Sequence, residues 1–212
     1  MIHSGFNLQW LYRQRAGASG PDLRVLDAIA GWGFNFVRLP TDYRLWSVDG
    51  DPRRAREDVL ELIDDVLNAC SSRGLHLSLN LHRAPGYVIT GWETEPWNLW
   101  ADQGAQDAFV ATWERFAGRY REVPGAALSF DLVNEPPALG LRGFTRQAHE
   151  QVIRRAVAAI RAVAIAGPER TSSNATDSRS TSGCSNACRR PTRPRRPWLA
   201  WQVPGRPEPI SN

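Results

Sequence analysis

From residue 5 to about residue 163 short apolar runs alternate with amphipathic stretches, the pattern of parallel strands joined by crossover helices. The first predicted strand is GFNL at 5–8. After Pro21 the apolar positions Leu23, Leu26 and Ile29 recur at helical spacing, and Gly31 and Gly33 stop that helix before a second strand, FNFVRLP at 34–40. A second helix is expected from about Ala55 to Ser72. Val59, Leu62, Ile63, Val66, Leu67 and Cys70 fall on one of its faces, with Glu57, Glu61, Asp64 and Asp65 largely opposite. Gly74 ends it, and LHLSLNLH at 75–82 is the third strand. A longer loop leads to a third helix at about 103–121, with Phe109, Val110, Trp113, Phe116 and Tyr120 as its buried stripe. ALSFDLV at 127–133 is the fourth strand, and a fourth helix is expected from about Phe144 to Val163.

Four such units predict an α/β fold over residues 1–166, a partial (β/α)8 TIM barrel, since a complete one takes about 250 residues. A doubly wound open sheet would alternate in the same way, but no Gly-rich phosphate loop follows the first strand. At residue 167 the pattern stops. Residues 167–212 are rich in Ser, Arg and Pro without apolar periodicity, the composition of a disordered tail. A fifth strand is due after AVAIAGPER, yet the residues there are TSSNATDSRS, which could not fill a barrel interior. Because both periods are lost at one point, the expectation is a shifted reading frame or a truncated gene near residues 164–170.

The formal net charge of +4 points to nucleic acid until its distribution is read. Residues 1–166 carry 18 arginines against 19 acidic side chains, whereas 167–212 carry 8 against 3. The excess belongs to the tail, where RRPTRPRRP could bind phosphate without sequence preference. No recognition module accompanies it, so no nucleic-acid partner is expected. Cys70 lies on an apolar helix face and Cys184 and Cys188 in the tail, which makes no disulfide framework. CSNAC would need two further metal ligands and no nearby His supplies one; no metal or cofactor is expected. The N-terminus MIHSGFNLQWLYRQR lacks a basic n-region and an apolar run of signal-peptide length, and nothing later approaches a membrane span. As written, the chain reads as soluble and cytoplasmic, with no membrane partner.

The strand ends are polar. Strand two delivers Arg38, strand three Asn80 and His82, and strand four Asn134 and Glu135, and C-terminal strand ends are where barrels of this kind place their chemistry. Singly, Arg38 could pair with Asp42, His82 could be a hydrogen-bonded loop residue and Glu135 could cap a helix. The same end-of-strand placement on three strands argues for a shared site. Pro136 and Pro137 follow Glu135 directly and are expected to hold residues 135 and 136 extended, so that Glu135 faces a cleft and not a helix N-terminus. Trp46, Trp92, Trp97 and Trp100 fall in the loops after strands two and three, where a substrate groove would lie; core packing is the competing role for each.

GFNFVRLP, LSLNLHRAPG and FDLVNEPP together resemble the strand two, three and four motifs of glycoside hydrolase family 5, the cellulase-like (β/α)8 enzymes. The likeness covers about residues 3–163. It implies that Glu135 is the general acid/base, that Asn134 hydrogen-bonds the sugar 2-hydroxyl and positions the nucleophile, that Arg38 lies beneath the nucleophile, and that His82 contacts the sugar. It gives Asn7 no comparable role. A glycosidic oxygen leaves poorly unless protonated, so such an acid must be held rigidly in a partly desolvated setting. Trp46 is a further candidate substrate contact, and the implied substrate is a β-glucan or related oligosaccharide.

The family's nucleophile lies on strand seven, and retaining glycosidases need that second carboxylate about 5–5.5 Å from the first. After Glu135 the only carboxylates are Glu150, Glu169, Asp177 and Glu208, none at the end of a predicted strand. The chain as written is therefore expected to be an inactive fragment of a retaining glycosidase, or a carbohydrate-binding remnant without catalysis. Half a barrel also exposes two sheet edges, which favour aggregation or dimerisation.

Overall fold

A computed structural model describes residues 3–12 and 20–166. The chain divides after Gly167 into two units, Met1–Gly167 and Pro168–Asn212. The second lies outside the described residues, and with it TSSNATDSRS, Cys184, Cys188 and the RRPTRPRRP arm.

In chain order the elements are β1 (Gly5–Asn7), α1 (Val25–Gly31), β2 (Phe36–Asp42), the single helical turn α2 (Tyr43–Trp46), β3 (Ser47–Val48), β4 (Asp51–Ala55), α3 (Glu57–Ser71), β5 (His76–Arg83), α4 (Gln103–Arg119), β6 (Leu128–Asp131) and α5 (Arg146–Ala166). β1, β2, β5 and β6 pair in that order as one parallel sheet. The spatial order follows the chain order with no reversal, which separates this arrangement from a doubly wound sheet with its switch point. The chain thus builds four successive β/α units of the barrel plan.

Register fixes what each face of the sheet carries. Arg38 lies beside Asn7 and Ser78, Ser78 beside Ser129, and Asn80 beside Pro40 and Asp131. Side chains alternate along a strand, so these residues share one face. Between them Val37, Leu39, Leu77, Leu79 and Leu81 point the other way, all fully buried, and join one core with Ile63 and Val66 of α3 and Phe109, Trp113 and Phe116 of α4. One face is apolar and meets the helices; the other is polar.

α3 buries Val59, Leu60, Ile63, Val66, Leu67, Ala69 and Cys70. Burial of each large aliphatic contributes roughly 1.5–3 kcal/mol, while Glu57 and Asp58 in the first turn suit the positive end of the helix dipole. Ala55, expected in this helix, belongs instead to β4, which forms an antiparallel hairpin with β3. Asp49 and Gly50 at the tip have φ of 54° and 76°, the double positive of a two-residue hairpin turn for which Asp-Gly is the sequence signal. α5 starts two residues later than predicted because the Thr145 hydroxyl accepts from the Ala148 amide at 3.0 Å and caps it. At the other end of the sheet, a Cβ on Gly5 would lie 1.6 Å from the Phe36 carbonyl oxygen. Only glycine fits there. Among the described residues no helix is long and apolar enough to cross a membrane.

Candidate active site

Arg38 is the hub of the polar face. Its Nε donates to Asp131 Oδ2 at 2.8 Å, one terminal nitrogen to Asn134 Oδ1 at 2.9 Å and the other to Asn7 Oδ1 at 3.3 Å. The planar fork lets one side chain on β2 hold three partners, from β1, from β6 and from the segment just past β6, which a lysine could not. Arg38 therefore does not pair with Asp42, which holds Arg44 at 2.6 Å and Arg83 at 3.3 Å. Asn134 is 4% exposed, and its main-chain N–H donates to the Leu81 carbonyl at 3.3 Å, three residues past the end of β6. Among the described residues its side-chain Nδ2 is buried with no hydrogen-bond acceptor.

His82 joins the same group through Asn80. The fully buried Asn80 donates from Nδ2 to the Asp131 carbonyl at 3.2 Å, which leaves its Oδ1 to accept from His82 Nδ1 at 3.2 Å. That assigns the proton of a neutral His82 to Nδ1. The imidazole also packs on Tyr12, ring centre to ring centre at 4.0 Å. Among the described residues no three His, Cys, Asp or Glu side chains gather as a metal-binding group.

Glu135 follows Asn134 at this rim, with its side chain exposed and not in the partly desolvated setting expected of it. Its backbone is not extended as the two prolines suggest: φ is +42°, in the left-handed region that non-glycine residues seldom take. Its carbonyl accepts from the Tyr87 hydroxyl at 2.5 Å. Burial, with the charge of Glu135 adding to it, pushes the Tyr87 phenol up to about 12. Glu135 also caps no helix, since α5 begins at Arg146.

The tryptophans divide. Trp46 is not a groove residue: it lies in α2, 1% exposed, edge-on to Phe116 at 5.5 Å. The cause is local. β2 ends at Asp42, whose carboxylate accepts from the Arg44 amide at 2.9 Å and starts one helical turn, and that turn swings Tyr43 and Trp46, three residues apart, into the core. Trp100 is likewise buried, against Tyr87 and Phe144. Trp92 and Trp97 stay partly exposed, the Arg142 guanidinium lying 4.3 Å over the Trp92 ring.

Asp131, Tyr12 and Tyr87 have no place in the sequence reading, and Asn7, given no comparable role there, accepts from Arg38. Asp131 carried a signal, a charged residue in step with Ser129 on an otherwise apolar strand. The other three act through loop and edge placements that periodicity does not reveal.

The family described as cellulase (glycosyl hydrolase family 5) matches residues 3–171. The chain belongs to glycosyl hydrolase family 5. Endoglucanase C of Acetivibrio thermocellus, a curated relative, is 37% identical over 113 residues, which are 52% of this chain and 31% of that protein. A crystal structure of a glycoside hydrolase is 50% identical with a TM-score of 0.74, covering 77% of this chain and 51% of that one. Cel5A of Thermotoga maritima in complex with cellobiose, at 24% identity and a TM-score of 0.53 over 68% of this chain and 42% of that one, shares the fold. This family 5 chain spans about a third of the curated relative and half of the solved glycoside hydrolase.

Proposed function

We propose that residues 1–166 carry the acid/base half of a retaining β-glycosidase site. Glu135 protonates the glycosidic oxygen as the bond to it breaks and then, as carboxylate, takes a proton from the water that attacks the glycosyl-enzyme. Asn134 Nδ2, a buried donor with no protein acceptor among the described residues, serves a sugar hydroxyl. Arg38 holds Asn134 and lends positive charge to the floor of the cleft, and His82 contacts the sugar. The observation that carries this reading is the Arg38 fork on Asp131 and on Asn134, the residue before Glu135. The substrate is a β-linked glucan or its oligosaccharides, in keeping with an endoglucanase relative and a relative of the same fold solved with cellobiose.

A double displacement needs a second carboxylate facing the first, and among the described residues the one acidic side chain after Glu135, Glu150, pairs with Arg154 within α5. The 212-residue protein is expected to show no turnover of an aryl β-cellobioside. The deciding experiment joins residues 1–163 to the second half of the 50%-identical glycoside hydrolase. The folded chimera should cleave cello-oligosaccharides, and Glu135→Gln should lower kcat by at least about a hundredfold. A folded but inactive chimera, or one indifferent to Glu135→Gln, overturns the assignment.

Binding without cleavage is the second reading. Trp97 lines a groove of about 320 Å³ with Asp49, Asp51 and Arg53, an indole with polar partners suited to a pyranose ring. Calorimetric titration with soluble glucans, absent in Trp97→Ala, would support it.

A further inference from the structure

We propose that Tyr87 is a positioning residue for Glu135: its hydroxyl, donating to the Glu135 carbonyl, holds the left-handed peptide from which the carboxylate emerges. The proposal rests on the acid role of Glu135 for its functional meaning, but its geometry stands apart from that role. A non-glycine residue at positive φ costs of order 1–3 kcal/mol and persists only where its surroundings over-determine it. On the N-terminal side of Glu135 that support is plain, since Asn134 is held through its amide by Leu81 and through its side chain by Arg38. On the C-terminal side Pro136 has no N–H to offer. The Glu135 carbonyl is the next group along the chain that can be fastened, and Tyr87 fastens it.

Tyr87 is itself unusually fixed. It is 2% exposed, lies edge-on to Trp100 at 5.1 Å, and exchanges main-chain hydrogen bonds with Ala84 at 2.9 and 3.0 Å. Gly86 next to it has φ of +79°, and a Cβ there would come within 2.7 Å of the Leu99 amide nitrogen. The Gly86 amide donates to Glu95 Oε2 at 3.2 Å. Glu95 is wholly buried, pairs with Arg83 and accepts from the Tyr43 hydroxyl at 3.0 Å. Buried ion pairs contribute little net stability, because desolvation offsets attraction, and are better understood as fixing one geometry. Here the pair locks the 83–95 loop to β2 and α2, and the loop delivers the tyrosine to the acid. The loop's buried charge thereby gains a role, through its connection to Glu135.

The test reads the backbone of residue 135. In Tyr87→Phe, which deletes one oxygen, the crystallographic φ of Glu135 should leave the positive region and its 13Cα and 13Cβ shifts should move, while Tm falls by no more than about 2–4 °C. A folded Tyr87→Phe protein with Glu135 still near +42° overturns the proposal. The unmodified protein gives an independent measurement if that variant does not fold. The Tyr87 phenolic proton should exchange slowly and show a nuclear Overhauser effect to residues 135–136, and its absence sinks the contact. Failure here with an active chimera discards the clamp alone; an inactive chimera with the clamp intact discards the acid role alone.

Discussion

Arg38 donates to the side-chain oxygen of Asn134 at 2.9 Å across 96 residues of chain. The contact binds the second strand of the sheet to the residue just before the proposed acid. Arg38→Met would strand the buried Asn134 oxygen, which costs about 1–3 kcal/mol. Arg38→Lys keeps the charge but not the fork and should fall between. Urea midpoints measure both, and a loss below about 0.5 kcal/mol for the methionine variant would mean the network does not hold the strands together.

Trp46 and Trp97 should separate cleanly. Trp46→Ala opens a core cavity and is expected to cost about 3–5 kcal/mol, whereas Trp97→Ala at the partly exposed rim should stay within about 1 kcal/mol. Equal and small effects by chemical denaturation would return Trp46 to the surface.

Tyr87 gives stability an alkaline limit. Its phenol ionises near 10 in the unfolded chain and at about 12 in the folded one. Between those values the unfolded state loses its proton first, so this contribution is complete below pH 10 and disappears as pH rises toward 12. By pH 11 the loss should be about 1 kcal/mol, and it should be smaller in Tyr87→Phe. Urea midpoints at pH 9 and 11 for both proteins decide the point; parallel declines would show that other groups govern it.

β1 and β6 each pair on one side only among the described residues, and unpaired edges recruit further strands. Sedimentation velocity is expected to show association that grows with concentration. Gly5→Ala, which cannot approach Phe36, should release β1 and strip protection from the amides of Phe6 and Leu8. A monomer at every concentration would show that these edges are not adhesive.

Much of this was legible in the chain. Leucine every second residue in LHLSLNLH states the strand, its two faces and the exit of Asn80 and His82 at one end. The α3 stripe is equally direct, because 3.6-residue periodicity reports burial. Trp46 was not legible: a loop tryptophan and a tryptophan on a four-residue helical turn read alike, and only the cap at Asp42 distinguishes them. The Glu135 conformation was hidden for a different reason. A following proline favours extended backbone, and the departure at Glu135 goes with a contact from Tyr87, 48 residues earlier, that no local pattern announces.

The level at which Asn7, Arg38, Ser78 and Ser129 stand side by side also acts as a proofreading device during folding. Slipping β2 by one position would drive the Arg38 guanidinium among the helices and turn Leu39 toward the cleft. A chain assembled out of step would bear an uncompensated charge in oil and a greasy mouth at once. Misassembled copies are thereby penalised by the scaffold itself, and the residues of the polar face double as its alignment marks.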